Sequence, residues 1–519
     1  MNAETLINCL TESLRYRGDK MAITFMRQGL VETGLSYGDL DWDTNRMAHT
    51  LLDRGVRKGD RVILYLPKSL AFVVSHLAVQ RIGAIGVPLN PGFKHAEMIY
   101  LLDDTEANLV ISGTEQEAIL QEIDPRLKHI TIDTERPYQD LGFFRSAPDT
   151  PPGVDIGPDD PGLIIYTSGT TGQPKGAVLT QGNLIHDARN IIHVWEITET
   201  DVLCHALPLF HIHGLCFALH TALMAGAHII MLDGFNPETV LEVLSRSKGD
   251  SACTVFMAVP AMYGKLMDFM GDKRPDFSHI RLWTSGSAPL LARDFERIKE
   301  VFGKEPVERE GMSETGMNFS NPVRGTRKPG SIGIPLPGLE VRVVNPETLV
   351  DVEPGQTGEF WLKGPAITPG YWRKPDETAK AFREGWFRTG DLGRLDDDGY
   401  YYLTDRIKHI IISGGENISP KEVETVINRL DGVVESSVVG IPDEKWGEKV
   451  VAAVVTKPGS QLTEREIQGY CKTHLHNWKC PKGIVFTDEL PKNRMGKILK
   501  EEVKDLFKTP LLKTAPIFP

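Results

Sequence analysis

Hydrophobic positions along the chain change texture twice. From about residue 40 to residue 345, short apolar runs (RVILYLP, GAIGVPL, NLVISG, LIIYTSG, HIIML, RLWTSGS) alternate with longer segments of helical spacing. Buried strands alternating with helices build mainly parallel α/β sheets. Between about 330 and 403 the runs shorten and are punctuated by Gly and Pro (GSIGIPLPGLEVRVV, TGEFWLKG, WFRTGDLGRL, GYYYLTD), which predicts a small, mostly antiparallel β unit. After Thr404 a separate α+β unit begins: HIIIS as a strand, GG as a turn, and Ser419-Pro420-Lys421-Glu422 as a capping box with Pro at the first helical position. That helix carries Val423, Ile427 and Leu430 on one face; strands follow at SSVVGI and KVVAAVV, a second capping box spans Thr463 to Glu466, and a charged tail is predicted helical. Two domains result, residues 1–404 and 405–519.

The most apolar long stretch, Ala71 to Leu89, is interrupted by His76, Gln80 and Arg81. It falls short of the roughly 20 apolar residues a membrane helix needs and reads as a buried helix followed by a strand. Composition agrees: 519 residues with 41% hydrophobic and 25% charged positions can bury a large core across several lobes. The net charge of −12 predicts no general attraction to nucleic acid, so any anion must be held by a local site. The start, MNAETLINCL, lacks a basic, apolar secretory signal, which makes the cytoplasm the expected compartment. Six cysteines without a CxxC pair predict buried thiols and neither a disulfide framework nor a structural zinc site.

The densest candidate chemistry is YTSGTTGQPKG, residues 166 to 176. Thr167, Ser168, Thr170 and Thr171 bring hydroxyls, Gly169 and Gly172 free the backbone to turn its N–H groups inward, and Lys175 brings positive charge. SGTTG alone would equally serve as a surface turn. A Walker loop is excluded, because Lys175 lies between Pro174 and Gly176 and AVLT after it reads as a strand, not a helix.

With six further motifs in order, LPLFHIHG (207–214), SGSAPL (285–290), GMSET (311–315), RTGD (388–391), DRIKHIIISGGENISP (405–420) and PKNRMGK (491–497), nearly the whole chain resembles the adenylate-forming enzymes. That family includes acyl-CoA synthetases, luciferases and the adenylation domains of peptide synthetases. The resemblance implies a large N-terminal AMP-binding domain of two α/β subdomains plus a distorted β-barrel, with a small mobile α+β C-terminal lid. It implies ATP, Mg²⁺ and coenzyme A as co-substrates and cofactor, with a carboxylic acid activated as acyl-AMP and then passed to the thiol. A luciferase-like oxygenase and a catalytically silent nucleotide-binding protein are the alternatives. No carrier domain follows the last motif, so CoA is the expected acceptor; a homodimer is admissible.

By the same resemblance, residues 167–172 and Lys175 cradle pyrophosphate and Glu314 holds Mg²⁺ against ATP. Asp391 takes the ribose hydroxyls and Arg406 the ribose or phosphate. Lys497 is the catalytic lysine, Lys408 the hinge, and Gly414 and Gly415 approach the pantetheine channel. His211 gates the acyl pocket; Gly286, Ser287 and Ala288 line the adenine and acyl pockets, beside Gly311, Met312 and Ser313. The pair His211 and His213 lacks a third ligand at suitable spacing, which speaks against a metal site. Glu310 stands where the family usually has an aromatic residue against adenine, and a carboxylate cannot stack. The region around FHIHG and GMSET is most similar to the branch containing malonyl-CoA synthetases, but Lys265 occupies the place expected for an arginine on malonate's second carboxylate, and lysine is a weaker match for bidentate pairing. Malonate and a medium-chain, cyclic or aromatic monocarboxylate, the latter against Phe210, Phe217, Met262 and Tyr263, both stay open.

Overall fold

Leu70–Arg81 is a helix in which every residue is buried, followed by the strand Ile85–Pro88. Each of its long polar side chains keeps at least one hydrogen bond, while His76 Nδ1 and Arg81 Nε are buried without a partner among the described residues. Arg81 Nη1 donates to Asp41 Oδ1 and Asn45 Oδ1, each at 2.7 Å, and Gln80 Nε2 donates to the Gly162 carbonyl at 2.6 Å. His76 and His220 meet through their Nε2 atoms at 2.7 Å. Among the described residues no helix is long and apolar enough to cross a membrane.

The computed structural model describes residues 4–167, 173–249, 251–413, 416–443, 446–493 and 496–508. The chain forms two compact units, one of residues 1–341 and 362–388, the other of 342–361 and 389–519.

The first unit holds two sheets with parallel centres. In the nine-stranded sheet, Met21–Arg27, His228–Leu232, Val202–His205, Val255–Ala258, Leu282–Ser285 and Val307–Met312 run parallel in that spatial order, with antiparallel strands added at both edges. The seven-stranded sheet has a parallel core of His129–Ile132, Leu109–Gly113, Arg61–Tyr65, Ile85–Pro88 and Pro161–Thr167, and ends in two antiparallel strands, Lys175–Thr180 and Gly370–Tyr371. The pairing of Gly370–Tyr371 with Ala177 and Val178 corrects the sequence reading. Part of the stretch expected to be a self-contained β unit completes this sheet, because residues 362–388 pack with the first unit.

The second unit holds most of the strands Glu340–Val344, Gly358–Lys363, Trp386–Leu395 and Tyr401–Arg406, which share one sheet. The other sheet is centred on Gly447–Thr456, whose alternating residues serve two cores. Val450, Ala452 and Val454 pack with Val423, Ile427 and Ile467 of the helices Pro420–Ile427 and Glu464–His474, whereas Val451, Ala453 and Val455 pack with Val503 of the helix Lys500–Asp505.

The capping box at Thr463 forms in both directions, but the one at Ser419 forms only half. Ser419 Oγ accepts the Glu422 N–H at 3.4 Å, while both Glu422 carboxylate oxygens take Lys479 Nζ at 2.7 Å. A charge partner from elsewhere in the chain outcompetes the backbone N–H. Five of the six cysteines are buried free thiols; Cys9 is partly exposed.

Candidate active site

In open α/β sheets ligands bind outside the carboxyl ends of the strands, where loops carry the chemistry. Three predicted segments leave the nine-stranded sheet at such ends: residues 207–214 after Val202–His205, Gly286 to Ala288 after Leu282–Ser285, and the turn at Ser313 and Glu314 after Val307–Met312.

Ser287 sits at φ +67° although it is not a glycine. A left-handed serine costs about 1 kcal/mol or more, and such strain collects at functional sites. Its Oγ lies 3.1 Å from His213 Nδ1 and 3.5 Å from Arg309 Nη2. Arg309 is 2% exposed and its guanidinium lies over the Phe217 ring, 4.9 Å from the centroid. Gly286 makes room for it, since a Cβ there would come within 2.5 Å of Arg309 Nε. That Nε is buried without a hydrogen-bond partner among the described residues. Burial lowers the guanidinium to about 10, against the opposing pull of Glu310 and Asp187, so it stays charged at neutral pH. Asp187 is itself pushed up to about 7 by burial, with the Met317 N–H and Arg309 working against the rise. Replacing Ser287 by glycine should raise the thermal midpoint by relieving φ, which thermal unfolding of the variant checks.

Of the two histidines in FHIHG, His213 reaches the Ser287 loop. His213 is buried and held well below its usual range by desolvation first, then by Arg309. His211 is partly exposed, its ring tilted 50° to that of Phe210 with the centroids 4.6 Å apart, and lowered to about 4 by desolvation. Both imidazoles are therefore neutral at pH 7. Among the described residues no group of three or more His, Cys, Asp or Glu could hold a metal. Phe217, Met262 and Tyr263 are core residues; the Tyr263 hydroxyl donates to the Thr284 carbonyl at 2.8 Å. Lys265 is on the exposed side of the helix Pro260–Met270.

Glu310 Oε2 accepts from Asn318 Nδ2 at 3.0 Å across the hairpin of Val307–Met312 and Gly316–Ser320. Gly311 is required by close approach: a Cβ would lie 2.6 Å from the Gly316 carbonyl oxygen. Met312 ends the strand, and Ser313 and Glu314 form the turn. Glu314 is buried, and its Oε1 accepts the Tyr371 hydroxyl at 3.0 Å. Lys175 begins the strand that pairs antiparallel with Pro161–Thr167; Thr167 Oγ1 lies 3.4 Å from the Lys175 carbonyl. Lys175 Nζ is ion-paired with Glu377 and lies 5.5 Å from the Tyr371 ring centroid. Ser168, Gly169, Thr170, Thr171 and Gly172 lie outside the described residues, as do Gly414 and Gly415.

In the second unit, Asp391 pairs with Arg406, Nε to Oδ1 at 2.6 Å. Burial raises the Asp391 carboxyl above its ordinary value, while Arg406, Lys497 and Lys408 oppose the rise in that order. Glu359, itself buried, fixes the approach to Asp391: one oxygen accepts the Gly390 N–H at 3.2 Å and the other the Trp361 Nε1–H at 2.8 Å. Lys408 lies in the short 3₁₀ turn Ile407–His409. The Lys497 N–H donates to Asn493 Oδ1 at 3.0 Å. Sequence reading missed Arg309, Tyr371 and Glu377; the one available signal was an arginine within a central strand, where a charge has no place without a purpose.

The chain belongs to the AMP-binding enzyme family: the family's main domain matches residues 10–372 and the AMP-binding enzyme C-terminal domain matches 422–497. Among its relatives, an oxalate–CoA ligase of Arabidopsis thaliana is 35% identical, covering 98% of this chain and 99% of that protein. A feruloyl-CoA synthase of an Amycolatopsis species is also 35% identical, covering 92% of this chain and 94% of the relative. The ATP-bound crystal structure of MatB from Rhodopseudomonas palustris superposes with a TM-score of 0.91 at 36% identity, over 98% of this chain and 99% of that one.

Proposed function

We propose that this AMP-forming acyl-CoA synthetase activates a short dicarboxylic acid, malonate or a close homologue. The observation that carries the choice is Arg309, a buried guanidinium with an unpartnered Nε beside Ser287 and His213. A buried cation left short of acceptors is costly unless a ligand supplies them, and a guanidinium fork matches a carboxylate. The relatives leave the acid undecided, since oxalate is a dicarboxylate and ferulate an aromatic monocarboxylate.

In this reading one carboxylate of the acid rests against Arg309 and Ser287 while the other attacks the ATP α-phosphate, forming an acyl–O–P bond as pyrophosphate leaves. CoA thiolate then attacks the acyl carbon and AMP departs. Positioning two anions in contact is most of the task, and positive charge at the reacting oxygens does the rest. Lys175 and Lys497 are the cations assigned to it. Glu314, a single buried carboxylate, fits a Mg²⁺ site completed by substrate phosphates; bound there the ion would neutralise phosphate charge. Asp391, oriented through Gly390 by Glu359, is assigned to the ribose hydroxyls, with Arg406 beside it. The lid, taken as 405–519, is assigned a rotation about Lys408 between the two steps. A cytoplasmic location belongs to the same reading.

Pyrophosphate release with CoA present should be fastest, by kcat/KM, with malonate, oxalate or succinate. A panel that also holds acetate, butyrate, hexanoate, benzoate and ferulate checks this. Preference for any monocarboxylate over all three diacids would remove the role given to Arg309.

A further inference from the structure

The helix Pro375–Ala381 places Glu377 on Lys175, 202 residues earlier in the chain. The contact is an ion pair, and Lys380 holds the other carboxylate oxygen at 2.9 Å. Tyr371 ties this pair to the assigned metal-binding acid: its ring lies beside Lys175 Nζ and its hydroxyl donates to Glu314 Oε1. Pairing of Gly370–Tyr371 with the strand that Lys175 begins fixes all of these groups in one place.

We propose that Glu377 is an internal stand-in for pyrophosphate: its carboxylate occupies Lys175 when no polyphosphate is bound and must be displaced when ATP enters. This rests on the reading of Lys175 as a phosphate-binding cation. Two anions compete for one ammonium, so the carboxylate weakens polyphosphate binding by whatever the ion pair is worth. The same competition speeds the release of pyrophosphate, because Glu377 is ready to recapture the lysine as the product departs. Lys175 and Lys380 together hold the Glu377 carboxyl down to about 2, so it is an anion throughout the working pH range. The two side chains of the pair are 13% and 22% exposed, between a surface pair and a buried one. The competition is therefore expected to be about threefold to tenfold.

The test uses the full chain, MgATP and inorganic pyrophosphate. Glu377→Gln, which keeps shape and loses charge, is expected to lower the KM for ATP and the inhibition constant for pyrophosphate together, by about threefold to tenfold. Glu377→Ala repeats the measurement without a side chain to hold the lysine. A carboxylate that merely fastens the helix would give variants with a lower thermal midpoint and unchanged or weaker polyphosphate binding, and that result overturns the proposal. Lys175→Ala separates the two layers of the argument. If it weakens pyrophosphate inhibition while Glu377→Gln does not tighten it, only the stand-in fails. If Lys175→Ala leaves pyrophosphate inhibition unchanged, the phosphate role of Lys175 fails and takes the stand-in with it.

Discussion

Lys497→Ala is expected to reduce adenylate formation by about a hundred- to a thousandfold, the loss typical of removing one preorganised donor from developing negative charge. Thioester formation from supplied acyl-AMP and CoA should be nearly untouched, because the phosphoryl step that needs the cation is then already complete. Within the second unit Lys497 is close enough to Asp391 and His409 for its charge to shift both of them: it opposes the rise of Asp391 and helps lower His409 to about 3, after burial, Lys500, Lys408 and Arg406. The ammonium thus belongs to a cationic cluster around the carboxylate assigned to ribose, with a neutral imidazole inside it. ATP–pyrophosphate exchange set against thioester formation measures the split. Equal loss in both would show that Lys497 supports the fold of its lobe and not the chemistry.

The second large effect is expected at Arg309. Arg309→Leu should lower kcat/KM for the preferred diacid by about a hundredfold or more, as expected for deleting one partner of a desolvated charge pair. The loss should lie mainly in KM. Arg309→Lys should fall between, since lysine keeps the charge but lacks the planar fork. The free enzyme should tolerate the leucine: it removes a buried cation short of acceptors and leaves an apolar group on Phe217, so the thermal midpoint should hold or rise. A variant that lost activity and stability in parallel would instead mark Arg309 as a structural residue satisfied by Asp187 and Glu310.

How far these residues could be seen in advance depended on the range of the interactions that place them. The parallel strands, the helix followed by a strand at Leu70–Pro88, and the strand that Lys175 begins follow from local pattern, and all are present. Arg309 was overshadowed by its neighbour Glu310, which drew attention as an odd residue in a recognised motif. What distinguishes Arg309, its burial over Phe217 and the space left by Gly286, comes from three segments that no periodicity connects. Lys265 occupies the place in the chain expected for an arginine on a second carboxylate, and the rotation of its helix exposes it. The half-formed cap at Ser419 follows the same logic, with Lys479 arriving 57 residues later to claim Glu422. The two-residue strand Gly370–Tyr371 is too short for any pattern, and its partner strand lies far back in the chain.

The fully buried helix Leu70–Arg81 has a consequence for how the protein is made. It has no solvent face to present, and although Asp41 and Asn45 are available as soon as it emerges, the Gly162 carbonyl and His220 are not. His220 lies 144 residues downstream of His76, a delay on the order of ten seconds at ordinary translation speed. For that interval a nascent chain carries an apolar rod covered only by earlier elements, chiefly the helix Tyr37–Asp53, with the rest of its surface bare. A ribosome-associated holdase should bind this stretch on stalled chains that end before residue 220 and release it from longer ones.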